Sequence, residues 1–157
     1  MPANIKVVAR EELQNYVGQE FGPTDWVEMS QEKINQFADL TQDRQFIHVD
    51  VENAKRTPFG GTIAHGYFTM SLVAYFQSQA GVYPKGIIMG VNYGSNKLRF
   101  LQPVRAGKRV RGRIKPVSFT EKNPGQVLAA IEVTVEIEGE SKPALVAETL
   151  TLFQFAN

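Results

Sequence analysis

The chain has 157 residues, of which 43% are hydrophobic and 21% are charged, and these values are typical of a globular protein that forms one domain. It contains no cysteine, which excludes disulfide bonds and cysteine-based metal sites or nucleophiles and fits a protein of the reducing cytoplasm. The formal net charge of +1 favours no particular partner, and the apolar segments are too short to cross a membrane as a helix.

The first predicted helix follows Ser30. A serine is a favourable N-cap there, because its hydroxyl can accept a hydrogen bond from a free backbone N–H group. Apolar residues then recur at i, i+3 and i+4, namely at Ile34, Phe37 and Ala38. The pattern ends near Thr41. Residues 42–64 predict an irregular segment with one helical turn around 51–56, because glycine and proline interrupt anything longer.

A second helix is predicted over residues 65–80. Its apolar residues cover nearly every side of a helix: Tyr67, Phe68, Met70, Leu72, Val73, Ala74, Tyr75 and Phe76. We expect such a helix, which is too short for a membrane, to be surrounded by protein. Gly81 is a natural end for it.

The rest of the chain predicts strands. Segments rich in β-branched and aromatic residues lie at 86–93, 97–101, 108–119 and 144–155. The clearest strand spans residues 131–137, where isoleucine and valine alternate with glutamate and threonine. Strands that follow one another through short turns are mostly antiparallel. We therefore predict an α+β fold in which an antiparallel sheet wraps around the second helix.

Basic residues are concentrated between residues 85 and 115, where nine lysines and arginines occur without one acidic residue. Such a zone suits an anionic ligand through charge attraction, or else it is a solvated strand face. Nucleic acid is not favoured as a partner, because the net charge is close to zero and no RNA-binding motif is present.

Asp43 and His48 are a candidate acid–base pair. Five positions on a regular helix advance by about 500°, so the two side chains would diverge on a helix, whereas a loop can turn both into one pocket. An imidazole can change charge near neutral pH and a carboxylate can hold a water molecule, which suits proton transfer. The alternative is that Asp43 caps a loop and His48 is an ordinary surface residue.

His65 and Gly66 begin the second helix. The first turn of a helix has free N–H groups, and Gly66 has no side chain to block a ligand, so its N–H could stabilise negative charge on a carbonyl oxygen. The alternative is a glycine required for close packing beside a structural His65. A metal site at His48, Asp50 and His65 is not favoured, because their spacing matches no zinc pattern.

Two motifs in this region resemble the MaoC-like dehydratases, a hot-dog-fold family that includes (R)-specific enoyl-CoA hydratases. They are D-R-Q-F-I-H at 43–48 and F-G-G-T-I-A-H-G at 59–66. The family has an Asp, four residues and a His, followed by a His-Gly pair that opens the central helix. The segment N-Y-G-S-N-K-L-R-F at 92–100 is similar to the subgroup of nodulation protein N. Where many members have Asn-Pro, this chain has Gln45 and Phe46.

This resemblance implies a single hot-dog domain over residues 1–157, with a core at about 20–153. The central helix would start near His65, inside an antiparallel sheet. The resemblance also implies a homodimer, in which the sheets of two subunits join.

The activity that the resemblance implies is reversible hydration of trans-2-enoyl thioesters to (3R)-hydroxyacyl thioesters. Asp43 and His48 would be the catalytic pair, Gly66 would bind the thioester carbonyl, and no metal or redox cofactor would be needed. The acyl group would be carried by coenzyme A or by an acyl carrier protein. Lys97 and Arg99 are the candidates for contacting the phosphates of that carrier.

Two other functions stay open on the sequence alone. An acyl-CoA thioesterase of the hot-dog fold would need a carboxylate on the central helix, and residues 65–81 contain no aspartate or glutamate. A non-catalytic module that binds acyl thioesters would keep the pocket without the reaction.

Overall fold

The computed structural model describes residues 4–156; residues 1–3 and 157 lie outside the described residues. In chain order the elements are β1 (Asn4–Val8), a 3-10 helix (Arg10–Tyr16), β2 (Val27–Glu28), α1 (Gln31–Thr41), α2 (Phe46–Val49), α3 (Val51–Ala54), α4 (Gly66–Ser71), α5 (Val73–Gln79), β3 (Ala80–Pro84), β4 (Ile87–Phe100), β5 (Arg109–Asn123), β6 (Gln126–Ile137) and β7 (Leu145–Phe155). No helix among the described residues has both the length and the apolar character that a membrane crossing requires.

The main sheet has five antiparallel strands in the order β2-β5-β6-β7-β4, and β1 pairs with β3 in a separate parallel pair. The alternation predicted for residues 131–137 is confirmed, because the isoleucines and valines of that segment are buried in the core. Burial of one face of each strand against the helices is the main stabilising contribution to such a sheet. The predicted α+β arrangement, with an antiparallel sheet around the second helix, is confirmed.

Most of the predicted basic zone is engaged in ion pairs on the outer face of this sheet. The pairs join β5 and its vicinity to β6 and its vicinity: Lys108–Glu140 (3.8 Å), Arg109–Glu138, Arg111–Glu136 (2.7 Å), Arg113–Glu136 (2.5 Å) and Lys115–Glu132 (2.8 Å). Arg111 lies opposite Glu136 in the strand register and Lys115 lies opposite Glu132. For residues 108–115, the solvated strand face is therefore the right interpretation.

The second helix starts where the sequence predicts, with His65 as N-cap and Gly66 as first helical residue. It is divided at Leu72 into α4 and α5. The prediction that Gly81 ends it is wrong, because α5 ends at Gln79 and Gly81 lies in β3 with φ +138°. The chain leaves this helix directly into a strand, so no helix cap is needed at Gly81.

The expectation that protein surrounds this helix is also wrong for a single chain. Tyr67 is 71% exposed and Tyr75 is 46% exposed, so one face of the helix lies open. The opposite face is tightly packed, with Phe76 fully buried against β5. Hydrophobic pattern alone shows that a helix needs covering, and it does not show whether the same chain supplies the cover.

Several elements differ from the sequence-based expectation. The strands expected at 86–93 and 97–101 form one strand, β4, whose register against β7 shifts near Gly94. The segment expected to be irregular contains α2 in addition to the turn α3. The short strands β1, β2 and β3 were not predicted, since two to five residues carry too little periodicity to be recognised.

Candidate active site

His48 lies on α2 and is 6% exposed. Its Nδ1 is 2.7 Å from the carbonyl oxygen of Ile63. A carbonyl oxygen only accepts hydrogen bonds, so Nδ1 carries the proton and the lone pair of the neutral ring is on Nε2. The structure therefore presents His48 as an imidazole that can accept a proton at Nε2.

The loop between α1 and α2 carries Asp43. Helix α1 ends at Thr41, and the following residue, Gln42, has a left-handed φ of 67° that turns the chain away from the helix axis. The Asp43 Oδ1 accepts a hydrogen bond from the Gln45 N–H at 3.3 Å. This Asx-type turn leaves the carboxylate of Asp43 exposed at the end of the loop.

The structure brings Asp43, His48 and His65 together. A carboxylate oxygen of Asp43 and one ring nitrogen of each histidine lie within 4.8 Å of one another. Two acceptors that each bind the same water at about 2.8 Å, with a tetrahedral angle between them, are about 4.6 Å apart. The spacing of this cluster therefore suits one bridging water molecule.

Burial is the main reason why the pKa of His48 lies below its ordinary value of 6.5. The hydrogen bond to Ile63 and the negative charge of Asp43 act in the opposite direction, and the neighbouring His65 adds to the lowering. His48 is consequently neutral at pH 7, the form in which Nε2 can accept a proton.

A cavity of about 390 Å³ opens beside His48 and Gly66. Its other walls are mostly apolar and come from α4, the end of β4 and the loop that follows, including Phe59, Tyr67, Phe100, Leu101 and Val104. Asp43 is not among the described residues that line the cavity. Its carboxylate lies instead close to the ring of His48, which does line the cavity. An apolar cavity with few polar groups at one place suits a ligand with an apolar chain and one reactive polar centre.

Gly66 lies at the edge of this cavity as the first residue of α4. No described residue accepts a hydrogen bond from its N–H, as expected for the first turn of a helix. A Cβ atom here would be 2.9 Å from the ring of Phe100. The missing side chain of Gly66 therefore admits the ring of Phe100, and its N–H has no acceptor among the described residues.

Other candidates from the sequence lie elsewhere. Lys97 and Arg99 are exposed on β4, and neither belongs to the described lining of the cavity. Asp50 caps α3, accepting a hydrogen bond from the Asn53 N–H at 3.0 Å, so it is not part of the cluster.

The contacts of His65 were missed by sequence reasoning. Its Nε2 is 2.9 Å from the main-chain oxygen of Asp43. Its ring stacks on that of His48, with centroids 3.9 Å apart and planes inclined by 25°. Lone pairs of an imidazole lie in the ring plane, so two stacked rings do not direct theirs at a single ion. This geometry does not suit a metal held by both histidines.

Comparison with known proteins gives a consistent group of relatives. The sequence profile of the family described as MaoC like domain matches residues 12–139. The 3-hydroxyacyl-thioester dehydratase Z of Mycobacterium tuberculosis is 46% identical over 136 residues, which cover 87% of this chain and 89% of that protein. Nodulation protein N of Rhizobium leguminosarum is 44% identical over 140 residues, which cover 88% of this chain and 87% of that protein. The solved structure of an (R)-hydratase from A. caviae superposes with a TM-score of 0.69 at 24% identity, covering 86% of this chain and 94% of that one.

Proposed function

The chain belongs to the family of MaoC-like domains and has their hot-dog fold, and on that premise we propose that it catalyses the reversible hydration of trans-2-enoyl thioesters to (3R)-hydroxyacyl thioesters. One observation carries this proposal. A carboxylate oxygen of Asp43 and a ring nitrogen of His48 lie within 4.8 Å of each other, beside an apolar cavity with a free helix N–H. A relative of 46% identity is named as a 3-hydroxyacyl-thioester dehydratase.

In the hydration direction, one water molecule lies between Asp43 and His48. The neutral His48 accepts a proton at Nε2 as the water oxygen bonds to C3 of the substrate. Asp43 accepts a hydrogen bond from the second O–H of this water, which stays on the oxygen, and so directs the oxygen towards C3. The proton then passes from the imidazolium to C2, which restores the neutral ring. Dehydration runs through the same steps in reverse.

Addition at C3 moves negative charge onto the thioester oxygen. The N–H of Gly66 is the donor that we assign to this oxygen, because it begins α4 and lies on the same cavity as His48. A donor aimed at developing oxyanion charge stabilises the transition state more than the ground state, by about 3 kcal/mol in comparable sites.

The first experiment replaces Asp43 by Asn and His48 by Gln and follows hydration of crotonyl-CoA by the loss of its conjugated thioester absorbance. Both substitutions nearly preserve side-chain size, but Asp43→Asn removes the negative charge beside the water and His48→Gln removes the basic ring nitrogen. We expect each to lower kcat by about 10²–10⁴-fold. The matched control is Asp39→Asn, which removes an exposed carboxylate on α1 that is ion-paired with Arg44.

Near wild-type rates in either Asp43→Asn or His48→Gln, with the fold intact by circular dichroism, would contradict this assignment. Release of free thiol in the same assay would instead indicate the thioesterase. Binding of crotonyl-CoA without turnover by the wild type would indicate the non-catalytic module.

The carrier of the acyl group is a further part of this proposal. Coenzyme A and acyl carrier protein both present a phosphate at the end of a pantetheine arm. We propose Lys97 and Arg99 as contacts for that phosphate, supported by their exposed position on the strand that ends at Phe100 in the cavity wall. The reaction as written needs no resident cofactor.

We also propose a homodimer, located in the cytoplasm. The dimer is supported by the exposed face of the central helix and by the exposed apolar side chains of β4, including Ile88, Met89, Val91 and Tyr93. The lack of cysteine is consistent with the reducing conditions of the cytoplasm.

A further inference from the structure

His65 has no step in the proposed reaction, yet it is among the most buried polar residues of the site. It is 2% exposed and contacts both Asp43 and His48. Burying a polar ring costs free energy unless its contacts repay that cost. These contacts therefore point to a role for His65 in the geometry of the other two residues.

The hydrogen bond from His65 to Asp43 is the first of these contacts. The main-chain oxygen of Asp43 only accepts, so His65 Nε2 carries the proton and donates it at 2.9 Å. The other hydrogen bonds of Asp43 are longer: its N–H to the Thr41 hydroxyl is 3.4 Å and its Oδ1 to the Gln45 N–H is 3.3 Å. His65 thus makes the shortest described hydrogen bond to Asp43 and ties the exposed loop to the start of α4.

The stack on His48 is the second contact. Centroids 3.9 Å apart and planes 25° apart place the two rings face to face. Phe37 on α1 packs on the His65 ring as well, with centroids 4.9 Å apart. The imidazole of His48 is therefore held at its edge by Ile63 and on one face by His65, which fixes the direction of Nε2.

The remaining nitrogen of His65 supports a single ring orientation. Its Nδ1 is buried and has no hydrogen-bond partner among residues 4–156. Rotating the ring by 180° would place a carbon where Nε2 now lies and would lose the hydrogen bond to the Asp43 oxygen. The observed orientation is the one in which this ring makes a hydrogen bond.

We propose that His65 is a positioning residue, whose N–H holds the main chain of Asp43 and whose ring face holds the imidazole of His48, so that the two stay one water molecule apart. This inference deepens the proposed function and rests on it for its kinetic consequence. Its structural part, two stacked histidines in opposite tautomers with one tied to Asp43, can be measured without any substrate.

The test compares three variants of His65. In His65→Gln, the side-chain amide nitrogen is the same number of bonds from the main chain as Nε2, so the donor to Asp43 is kept and the aromatic face is lost. His65→Phe keeps an aromatic face and loses the donor. His65→Leu loses both. Circular dichroism and thermal denaturation show which variants fold.

For crotonyl-CoA hydration, we expect His65→Phe and His65→Leu to lower kcat by about 10–100-fold, because a reacting group displaced by about 1 Å can cost that much. We expect KM to change little, since His65 is not part of the described cavity lining. The retained donor should bring His65→Gln to within about fivefold of the wild-type kcat. A kcat within about twofold of the wild type in His65→Leu, which loses both contacts, would overturn the positioning role.

Nuclear magnetic resonance gives the readout that is independent of activity. The chain has two histidines, so each His65 variant leaves one imidazole, and its titration reports His48 directly. Asp43 and His65 are the titratable groups that act on the pKa of His48, and His65 lowers it. We therefore expect the pKa of His48 to rise in His65→Gln relative to the wild type.

The wild-type protein should show one ring protonated at Nδ1 (His48) and the other at Nε2 (His65) in long-range nitrogen–proton spectra. Identical tautomers, or an unchanged His48 titration in His65→Gln, would refute the inference even if Asp43 and His48 prove essential. Normal spectra with an inactive wild type would refute the proposed function and leave the structural pairing intact.

Discussion

At the scale of single residues, the local environment of His48 decides its chemistry. The hydrogen bond to Ile63 fixes the tautomer, and burial lowers the pKa of the ring below 6.5. Both effects favour the neutral imidazole with a free Nε2, which is the form of a general base near neutral pH.

A pH prediction follows from that lowered pKa. The active form of His48 is neutral, so activity is lost as the pH falls through the pKa of the folded protein. Because that pKa lies below 6.5, we expect kcat/KM for crotonyl-CoA to fall on the acid side with a midpoint below pH 6.5. The pH profile of kcat/KM tests this. An acid limb with its midpoint above pH 6.5 would show that another group controls the rate.

The residues that the sequence identifies are those with short-range signals. Asp43 and His48 stand in a recognisable local motif, and Gly66 follows from its place at the start of a helix. The contacts of His65 with Asp43 and His48 join residues 22 and 17 positions away, and neither is encoded by local spacing. Lys97 and Arg99 are a different case. Their charges in the sequence indicate a basic strand, but they do not indicate which of its residues lie at the cavity.

At the scale of elements, the central helix is placed by how closely α5 packs on the sheet. Phe76 of α5 is fully buried over Gly112 of β5. A Cβ at Gly112 would be 2.7 Å from the Cβ of Phe76. This distance is too short, and neither atom can move without its own backbone. The absence of a side chain at Gly112 therefore allows α5 to lie this close to β5. Gly112 looks in the sequence like a weak point of a strand, because the partner across the core is not visible there.

The corresponding prediction is that Gly112→Ala destabilises the protein by about 1–3 kcal/mol, since the helix must move away from the sheet. A loss of this size lowers Tm by roughly 2–10 °C in a chain of this length. Thermal and urea denaturation measure it. The matched control is Gly90→Ala on β4, whose added Cβ would make ordinary contacts of 3.4 Å or more with Phe153 and Thr151. Equal stability of the two variants would show that the helix does not rest on Gly112.

At the scale of the whole molecule, a single chain leaves two apolar surfaces open. One is the face of the central helix with Tyr67 and Tyr75, and the other is the edge strand β4. A long edge strand with exposed apolar side chains invites pairing with another chain, and natural proteins seldom leave one uncovered. The exposure of Asp43 also favours a partner that covers it, because the addition of one water molecule is easier to control where bulk water is excluded. A second copy of the chain is the partner that we propose for these surfaces.

This dimer gives the last prediction. Light scattering should find the wild type at about twice the chain mass of 17.5 kDa. Val91→Glu places a charge on the exposed apolar part of β4 and should shift the protein to the mass of one chain, because a buried unpaired carboxylate opposes association. The matched control is Leu40→Glu on α1, which is 82% exposed and should remain dimeric.

If the dimer also shields the site, Val91→Glu should lower kcat for crotonyl-CoA hydration while Leu40→Glu should not. A wild type that is monomeric at micromolar concentration, or a Val91→Glu variant that remains a dimer, would place the interface elsewhere or remove it.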